Sequence, residues 1–245
     1  MTLAIVSALA DEQRGLIEAL KGARCVRRAG RDFWVANWHD QAVVLGLSGI
    51  GKVAAASTAA TLIEAFGVDR MVLTGVAGGL GAGVAVGDVV VASEFLQHDL
   101  DASPLFERYV VPQYGCKTIA CDAQLTLALA RAVADSSPHW RQPGVVHQGL
   151  LVSGDQFIGQ AELSHQLLAD LTDAGFAPLA VEMEGAAFAQ VCLDHGVAFA
   201  AVRTISDRAD DTAHIDFQAF VSAVAGPRAL AMISQLMLVL RAASG

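Results

Sequence analysis

Two apolar segments in the last third of the chain end directly at carboxylates, and this pattern constrains the fold more than any other. Residues Ala177 to Val181 lead into Glu182-Met183-Glu184, and Val197 to Ile205 lead into Ser206-Asp207. Neither segment alternates regularly with polar residues, which indicates short strands buried on both faces of a sheet. Open α/β sheets bind ligands beyond the carboxyl ends of their strands, and unpaired buried charges are costly. We therefore expect these carboxylates to belong to a binding site.

The rest of the chain alternates strand-like and helical segments. Strand Leu3 to Leu9 precedes a helical stretch from Glu12 to Leu20, and the Ala-rich helix Gly51 to Phe66 precedes strand Met71 to Val76. The other predicted elements are strands Phe33–Trp38, Gln41–Leu47, Val84–Ala92 and Val145–Val152, and helices Ala123–Val133, Ala161–Leu171, Gly185–His195 and Phe217–Leu240. Such repetition predicts the α/β class, with residues 1–245 forming a single three-layer domain. Its helices flank a central, mostly parallel, mixed β-sheet.

Charge and cysteine usage exclude several classes of partner. The formal net charge is -9 with only three lysines, so we expect no nucleic-acid or anionic-membrane surface. The four cysteines lack the spacing of a disulfide framework or a zinc site, which favours reduced thiols in the cytoplasm.

The first ten residues lack a basic region, so they predict a strand and no signal peptide. Residues Ala229 to Leu240 contain Ser234 and Gln235 and predict a closing helix, so no membrane span is expected.

A glycine-rich stretch resembles two phosphate-binding motifs without completing either. Gly46 to Lys52 matches the phosphate-binding loop of NTPases, but Val53 replaces the Ser or Thr that would hold magnesium. The same stretch fits a dinucleotide fingerprint, yet the strand Met71 to Val76 ends without the required acidic residue. A tight turn that begins a helix, or a turn whose amides face a small polar ligand, explains the stretch better.

Six motifs together resemble the 5'-methylthioadenosine/S-adenosylhomocysteine nucleosidases. They run in family order along nearly the whole chain: Glu12, Ser48-Gly49-Ile50-Gly51-Lys52-Val53, Gly75-Val76-Ala77-Gly78-Gly79, Val152-Ser153-Gly154-Asp155-Gln156-Phe157-Ile158, Val181-Glu182-Met183-Glu184 and Ser206-Asp207. The resemblance implies a nucleoside phosphorylase/hydrolase-like fold and a homodimer. It also implies irreversible hydrolysis of an adenine N-glycosidic bond in a small-molecule nucleoside, with no metal and no organic cofactor.

The resemblance implies three catalytic residues. Asp207 would act as the general acid by sharing a proton with N7 of adenine, and Ser206 would orient it. Glu12 would activate the attacking water. These residue types suit the reaction, because cleavage of a ribosyl bond needs a proton on the departing base and a water aimed at C1'. A helix N-cap for Asp207 and a first-turn glutamate for Glu12 are the structural alternatives.

Further residues would bind the substrate if the resemblance holds. Glu184 would bind the ribose hydroxyls, and Glu182 is a candidate for supporting it. The remaining implied contacts are Met183 on the sugar face, Phe157 stacked on adenine, Ile158 reading the base edge through its backbone, Val76 and Gly78 beside the water and ribose, and Leu9, Ile50 and Phe217 around the 5'-alkylthio group. Simple core packing explains the apolar members of this set about equally well.

Some positions depart from the family pattern and leave alternatives open. Leu9 stands where many members have methionine, and Val76 stands where many have serine, so the preferred 5' substituent is undecided. A futalosine-type nucleosidase, a nucleoside phosphorylase and a non-catalytic nucleoside sensor remain alternatives, although the glycine turns offer no arginine for phosphate. His98, Asp99 and Asp101 could suggest a metal site, but no further ligand stands at helical spacing from them, so they predict a solvated loop.

The segment from Gln97 to Cys121 follows no period, which is typical of a long functional or interface loop. Its part from Ser103 to Tyr114 carries Leu105 and Phe106. Apolar residues make up 54% of the chain and charged residues only 17%, which favours a protein that hides some surface in an oligomer. We expect this loop to meet the partner subunit of a homodimer.

Overall fold

A ten-stranded sheet forms the centre of the structure, a computed structural model that describes residues 1–209 and 220–243. Its strands are β1 Thr2–Ser7, β2 Arg24–Arg28, β3 Arg31–Trp38, β4 Gln41–Leu47, β5 Arg70–Gly79, β6 Val89–Gln97, β7 Thr118–Ala120, β8 Val146–Ser153, β9 Ala180–Glu182 and β10 Ala198–Asp207. The helices are α1 Leu16–Ala19, α2 Lys52–Phe66, α3 Ala123–Ser136, α4 Ala161–Asp173, α5 Gly185–His195 and α6 Gly226–Ala243.

The sheet is mixed and partly closed on itself. Its strand order is β10-β6-β8-β9-β5-β1-β4-β3-β2, with β7 attached to β6. Strand β5 also pairs with β10, so β5, β10, β6, β8 and β9 form a ring. Parallel pairings join β4, β1, β5 and β10, and also β6, β8 and β9, whereas the hairpin strands β2 and β3 are antiparallel. The predicted mixed α/β fold is confirmed.

Helices cover both faces of the sheet because successive side chains on each strand point to opposite sides. On β1, Leu3 and Ile5 belong to a core cluster that includes α3 and α6, and Ala4 and Val6 belong to a cluster that includes α2 and α5. A further cluster lies between α4 and strands β6, β8 and β9. These packed layers explain the unbroken apolar character of the strands.

Several predicted boundaries were wrong, and turns account for the differences. The predicted helix from Glu12 to Leu20 is a 3-10 turn, Ala10–Gln13, followed by the short α1, because Gly15 interrupts it with a φ of 87°. The predicted strand from Val84 to Ala92 begins only at Val89. The carboxylate of Asp88 accepts a hydrogen bond from the Ala85 amide at 2.9 Å and closes a turn there.

The C-terminal helical segment is longer than the apolar run that was predicted to close the fold. The segment Val221–Ala243 has 23 residues, and its most apolar 18-residue stretch has a mean hydropathy of 1.6, so by length and composition alone it could cross a membrane. In the structure 56% of that stretch is buried, as is usual for a helix in a protein core. Met232, Ile233 and Leu236 pack on the central sheet beside α3.

Candidate active site

A cavity of about 380 Å³ lies where the carboxyl ends of β1, β4, β5, β8, β9 and β10 converge. Within the described part of the chain, the predicted site residues all line it: Leu9, Glu12, Ile50, Val76, Gly78, Phe157, Ile158, Met183, Glu184, Ser206 and Asp207. Phe217 lies outside the described residues. The convergence follows from the strand pattern, because each strand delivers the residues after its last buried position to the same place.

Glu12 is buried beneath the cavity and is held by backbone amides. One carboxylate oxygen accepts hydrogen bonds from the amides of Ala8 at 2.9 Å and Leu9 at 2.8 Å, and the other accepts from the amide of Val76 at 2.9 Å. Burial raises the pKa of Glu12 above its usual value, although the charge of Arg203 and the amide bonds act in the opposite direction. The side chain is therefore fixed in position and a better proton acceptor than an ordinary glutamate.

Arg203 is a site residue that the sequence analysis missed. It lies on β10 with no solvent exposure, and its Nη2 donates to Glu182 and, at 3.2 Å, to Glu184. Burial alone would lower its pKa, but Glu182, Glu184 and Glu12 outweigh burial and raise it. The guanidinium is therefore a fixed cation that the surrounding carboxylates neutralise.

Gly75 leaves the space in which Arg203 and Glu12 approach each other. A Cβ at position 75 would clash with Nη1 of Arg203 and would lie 2.5 Å from Oε1 of Glu12. Nη1 and Nε of Arg203 have no hydrogen-bond partner among the described residues. A donor and an acceptor thus converge over the bare Cα of one glycine.

Glu182 lines the cavity beside Glu184 and is held by several hydrogen bonds. It accepts hydrogen bonds from the hydroxyl of Ser153 and from the amides of Glu184 at 3.2 Å and Gly185 at 2.9 Å. Gly185 is the first residue of α5, so this carboxylate also lies at the positive end of a helix. The prediction that Glu182 supports Glu184 fits this arrangement, since both carboxylates bind the same nitrogen of Arg203.

Glu184 lies at the junction of two loops, with 4% of its surface exposed. Its Oε1 accepts a hydrogen bond from the amide of Gly51 at 3.0 Å, and its Oε2 accepts from Arg203. Burial raises the pKa of Glu184 to about 7; Arg203 opposes the shift, and the negative charge of Glu182 adds to it. Near neutral pH this carboxyl group therefore exists in both protonation states.

A β-bulge aims Asp207 into the cavity. The pairing of β10 with β5 shifts register between Ile205 and Asp207, so Ser206 has no partner there and Asp207 pairs with Gly78. Asp207 accepts from the Ser206 hydroxyl at 2.7 Å and from the Ala209 amide at 2.8 Å. A Cβ at Gly78 would lie 3.0 Å from Oδ1 of Asp207, so the glycine gives that atom room.

The remaining walls of the cavity are apolar. Phe157 and Ile50 line the cavity and expose 52% and 56% of their surfaces, so both have apolar surface free for contact. A Cβ at Gly159 would lie 2.5 Å from the ring of Phe157, so the ring packs directly over that glycine. Val76 and Ile158 are buried, and Met183 is half-buried.

In the glycine-rich turn before α2, the last two amides donate to protein carboxylates. The amide of Gly51 donates to Glu184, and the amide of Lys52 donates to Asp155 at 2.8 Å. Protein carboxylates thus occupy the donors that a phosphate-binding loop would present. The turn begins helix α2, which was the first of the two alternatives.

The chain is similar in sequence to known proteins. A family model for the phosphorylase superfamily matches residues 2–237. A 5'-methylthioadenosine/S-adenosylhomocysteine nucleosidase of Actinobacillus succinogenes is 37% identical over 90% of this chain and 92% of its own. The chain belongs to this nucleosidase family.

Solved structures show the same similarity. The Neisseria meningitidis nucleosidase in complex with methylthio-immucillin-A is 34% identical, with a TM-score of 0.87 over 96% of this chain and 97% of that one. Futalosine hydrolase of Helicobacter pylori is 31% identical, with a TM-score of 0.84 over 96% of this chain and 97% of that one. The family therefore shares its fold with an enzyme named for a different nucleoside.

Proposed function

We propose that the protein hydrolyses the N-glycosidic bond of 5'-methylthioadenosine and S-adenosylhomocysteine, releasing adenine and the thioribose product. The convergence of Glu12, Glu184 and Asp207 on one cavity carries the proposal. Cleavage of a ribosyl bond needs one group that activates water, one that binds the sugar and one that protonates the departing base. Each of the three carboxyl groups suits one of these roles. The names of the relatives support the same reaction.

Glu12 and Arg203 suit the water. Glu12 Oε1 is an acceptor in the cavity wall, and the guanidinium of Arg203 lies buried behind it. A water in the cavity would donate to Glu12, whose carboxylate lies in the field of Arg203. As the water attacks C1', Glu12 takes its proton, and burial favours this by raising the pKa of the carboxyl group.

Asp207 suits the departing base. Its carboxyl group is nearly buried, is oriented by Ser206 and lies in the cavity near Gly78. When the C1'–N9 bond breaks, its electron pair stays on the base. A proton passed from Asp207 to N7 of adenine would neutralise the negative charge that develops there. Phe157 offers an aromatic face for the purine, and the backbone of Ile158 lies beside it in the same wall.

Glu184 suits the ribose. A carboxylate forms strong, directional hydrogen bonds to hydroxyl groups, and this one is fixed by Gly51 and Arg203. Met183 supplies an apolar contact for the sugar ring. Leu9, Val76 and Ile50 supply apolar cover for the 5' substituent, and Phe217 is proposed for the same wall from the sequence alone.

A phosphorolytic reaction fits the cavity less well. No lysine or arginine lines the described cavity surface. Arg203 lies behind it, and its charge is already matched by Glu182 and Glu184. A phosphate nucleophile would enter beside four carboxyl groups, with no cationic side chain in the described cavity surface, and Coulomb repulsion disfavours this. Water meets no such penalty.

We further propose a cytoplasmic homodimer in which residues 1–245 form one nucleosidase domain. Apolar side chains near the cavity mouth and in the long loop are exposed: Ile50 by 56%, Val53 by 82%, Leu105 by 83% and Phe106 by 44%. A second subunit would cover them. The unpaired thiols of the four cysteines suit a reducing compartment.

Adenine release tests the proposal. We expect purified protein to release adenine from methylthioadenosine and from S-adenosylhomocysteine in buffer without added metal or phosphate. Futalosine is assayed in parallel, because the match to futalosine hydrolase keeps that substrate as an alternative. Turnover of futalosine alone would contradict the proposed substrates and retain the reaction class.

A further inference from the structure

Lys52 is held in a partly buried ionic cluster beside the cavity. Its Nζ lies 2.5 Å from Oδ1 of Asp99, 3.3 Å from Oε1 of Gln97 and 3.9 Å from Oδ2 of Asp155. The Lys52 side chain is only 17% exposed. Burial alone would raise the pKa of Asp99, but its bonds to Lys52 and to the Asp155 amide hold that pKa below the usual value. The cluster is therefore charged, and Lys52 is more shielded than Asp99 and Asp155, whose side chains are 32% and 50% exposed.

The two carboxylates of the cluster also bind the backbone. Asp155 Oδ1 accepts from the Lys52 amide at 2.8 Å, and Asp99 Oδ2 accepts from the Asp155 amide at 2.9 Å. Three segments are joined in this way: the turn that begins α2, the end of β6 and the loop after β8. Ordinary surface ion pairs contribute little because they are solvated and mobile, but this one is tied to two main-chain amides.

Two of the joined segments also contact or contain residues of the cavity. Gly51, next to Lys52, donates its amide to Glu184 at 3.0 Å. Phe157 follows Asp155 by two residues, lines the cavity and is 52% exposed. Lys52 itself does not line the cavity. A displacement of Lys52 would therefore be transmitted both to the carboxylate beside the sugar and to the ring beside the base.

We propose that Lys52, Asp99 and Asp155 form a positioning cluster that aligns Glu184 and Phe157 and thereby sets nucleoside affinity. This role rests on the proposed function, which supplies the substrate. It also gives a role to Lys52, the lysine of the incomplete phosphate-binding motif. Loss of the cluster loosens contacts that bind the nucleoside before reaction as well as during it, so the effect falls on KM more than on kcat.

Steady-state kinetics of Lys52→Met test the proposal. We expect KM for methylthioadenosine to rise about threefold to fivefold and kcat to stay within about 1.5-fold, at the upper end of what a partly exposed ion pair contributes. Lys52→Arg, which keeps the charge, should recover most of the affinity. Arg27→Met removes an exposed pair with Asp32 on the β2–β3 hairpin and serves as the control, with unchanged kinetics.

Amide hydrogen exchange gives a second readout that does not need turnover. Peptides covering residues 49–52 and 155–158 should exchange faster in Lys52→Met and in Asp99→Asn, and a peptide covering β1 should not. Unchanged exchange together with an unchanged KM in both variants would overturn the proposal. If the wild-type protein releases no adenine, the proposed function fails, and the exchange comparison still decides whether the cluster holds these loops.

Discussion

Arg203 donates from Nη2 to Oε2 of Glu184 over 3.2 Å, and both side chains are almost completely buried. The pair links a strand of the sheet core to the cavity surface. Because Glu182 binds the same nitrogen, one cation holds two carboxylates that would otherwise repel each other. A third carboxylate, Glu12, lies in the field of the same guanidinium. The charge balance of the site thus depends on one residue that contacts no solvent.

Gly75→Ala should inactivate the enzyme without unfolding it. The added methyl group would clash with Arg203 and would lie 2.5 Å from Oε1 of Glu12, so it would displace the carboxylate proposed to activate the water. We expect kcat to fall at least about a hundredfold, as a displacement of about 1 Å is enough to cause. The far-ultraviolet circular dichroism spectrum should be unchanged. Near-normal kcat would contradict the proposed role of Glu12.

Glu12→Gln should lower kcat about 10²- to 10⁴-fold, the range typical of a general base, and leave KM within a few-fold. Glutamine can accept some of the same amide hydrogen bonds but cannot take the proton of water. Asp11→Asn is the matched control, because it removes the neighbouring surface carboxylate that pairs with Arg14. Equal rates for the two variants would remove Glu12 from the reaction.

Asp207→Asn should also reduce kcat about 10²- to 10⁴-fold, because the amide cannot deliver a proton to the base. Ser206→Ala should have a smaller effect, since it removes only the 2.7 Å hydrogen bond that orients the carboxyl group. A substrate whose leaving group needs no protonation, such as a nitrophenyl riboside, should rescue Asp207→Asn selectively. A loss of rate as great with that substrate as with methylthioadenosine would argue against the acid role.

Glu184→Gln should change how stability depends on pH. The folded protein holds a proton on Glu184 up to about pH 7, whereas the unfolded chain loses it near 4.5. As pH rises between these values, the group lowers the free energy of unfolding, by up to about 1.4 kcal/mol per pH unit. Urea unfolding from pH 4.5 to 7 should therefore show stability falling less steeply in Glu184→Gln than in the wild type. Glu162→Gln, at an exposed position on α4, is the control.

Phe106→Asp should promote dissociation in sedimentation experiments and raise KM for methylthioadenosine. The side chain is 44% exposed in the single subunit, and a charge there would oppose the proposed contact. His165→Asp, at an exposed position on α4, serves as the control. A wild-type protein that sediments as a monomer with full activity would contradict the homodimer and leave the hydrolase proposal in place.

The sequence allowed the cavity to be predicted because its polar residues follow apolar strands. Glu184 and Asp207 stand at strand ends, where a carboxylate has no role in the core, and the ends of buried strands meet at one place. Helix α5 was predicted with the correct bounds, because Gly196 follows it with a φ of 64° and ends it.

Other features depend on contacts between distant segments and left little signal in the local sequence. Arg203 lies within an apolar run, and only the fold brings Glu182 and Glu184 to it. The role of the turn at Gly51 likewise depends on Glu184, which is 133 residues away in the chain. One signal was available: an arginine inside a strand that is otherwise apolar needs a buried carboxylate partner.

The most direct test of the central claim is the identity of the sugar product when methylthioadenosine reacts in ¹⁸O-labelled water with phosphate present. Hydrolysis predicts free methylthioribose that carries one ¹⁸O atom at C1' by mass spectrometry, after its exchange with solvent is corrected by a short time course. It also predicts a rate of adenine release that does not depend on phosphate. Formation of methylthioribose 1-phosphate, with a rate that rises with phosphate, would contradict the proposal.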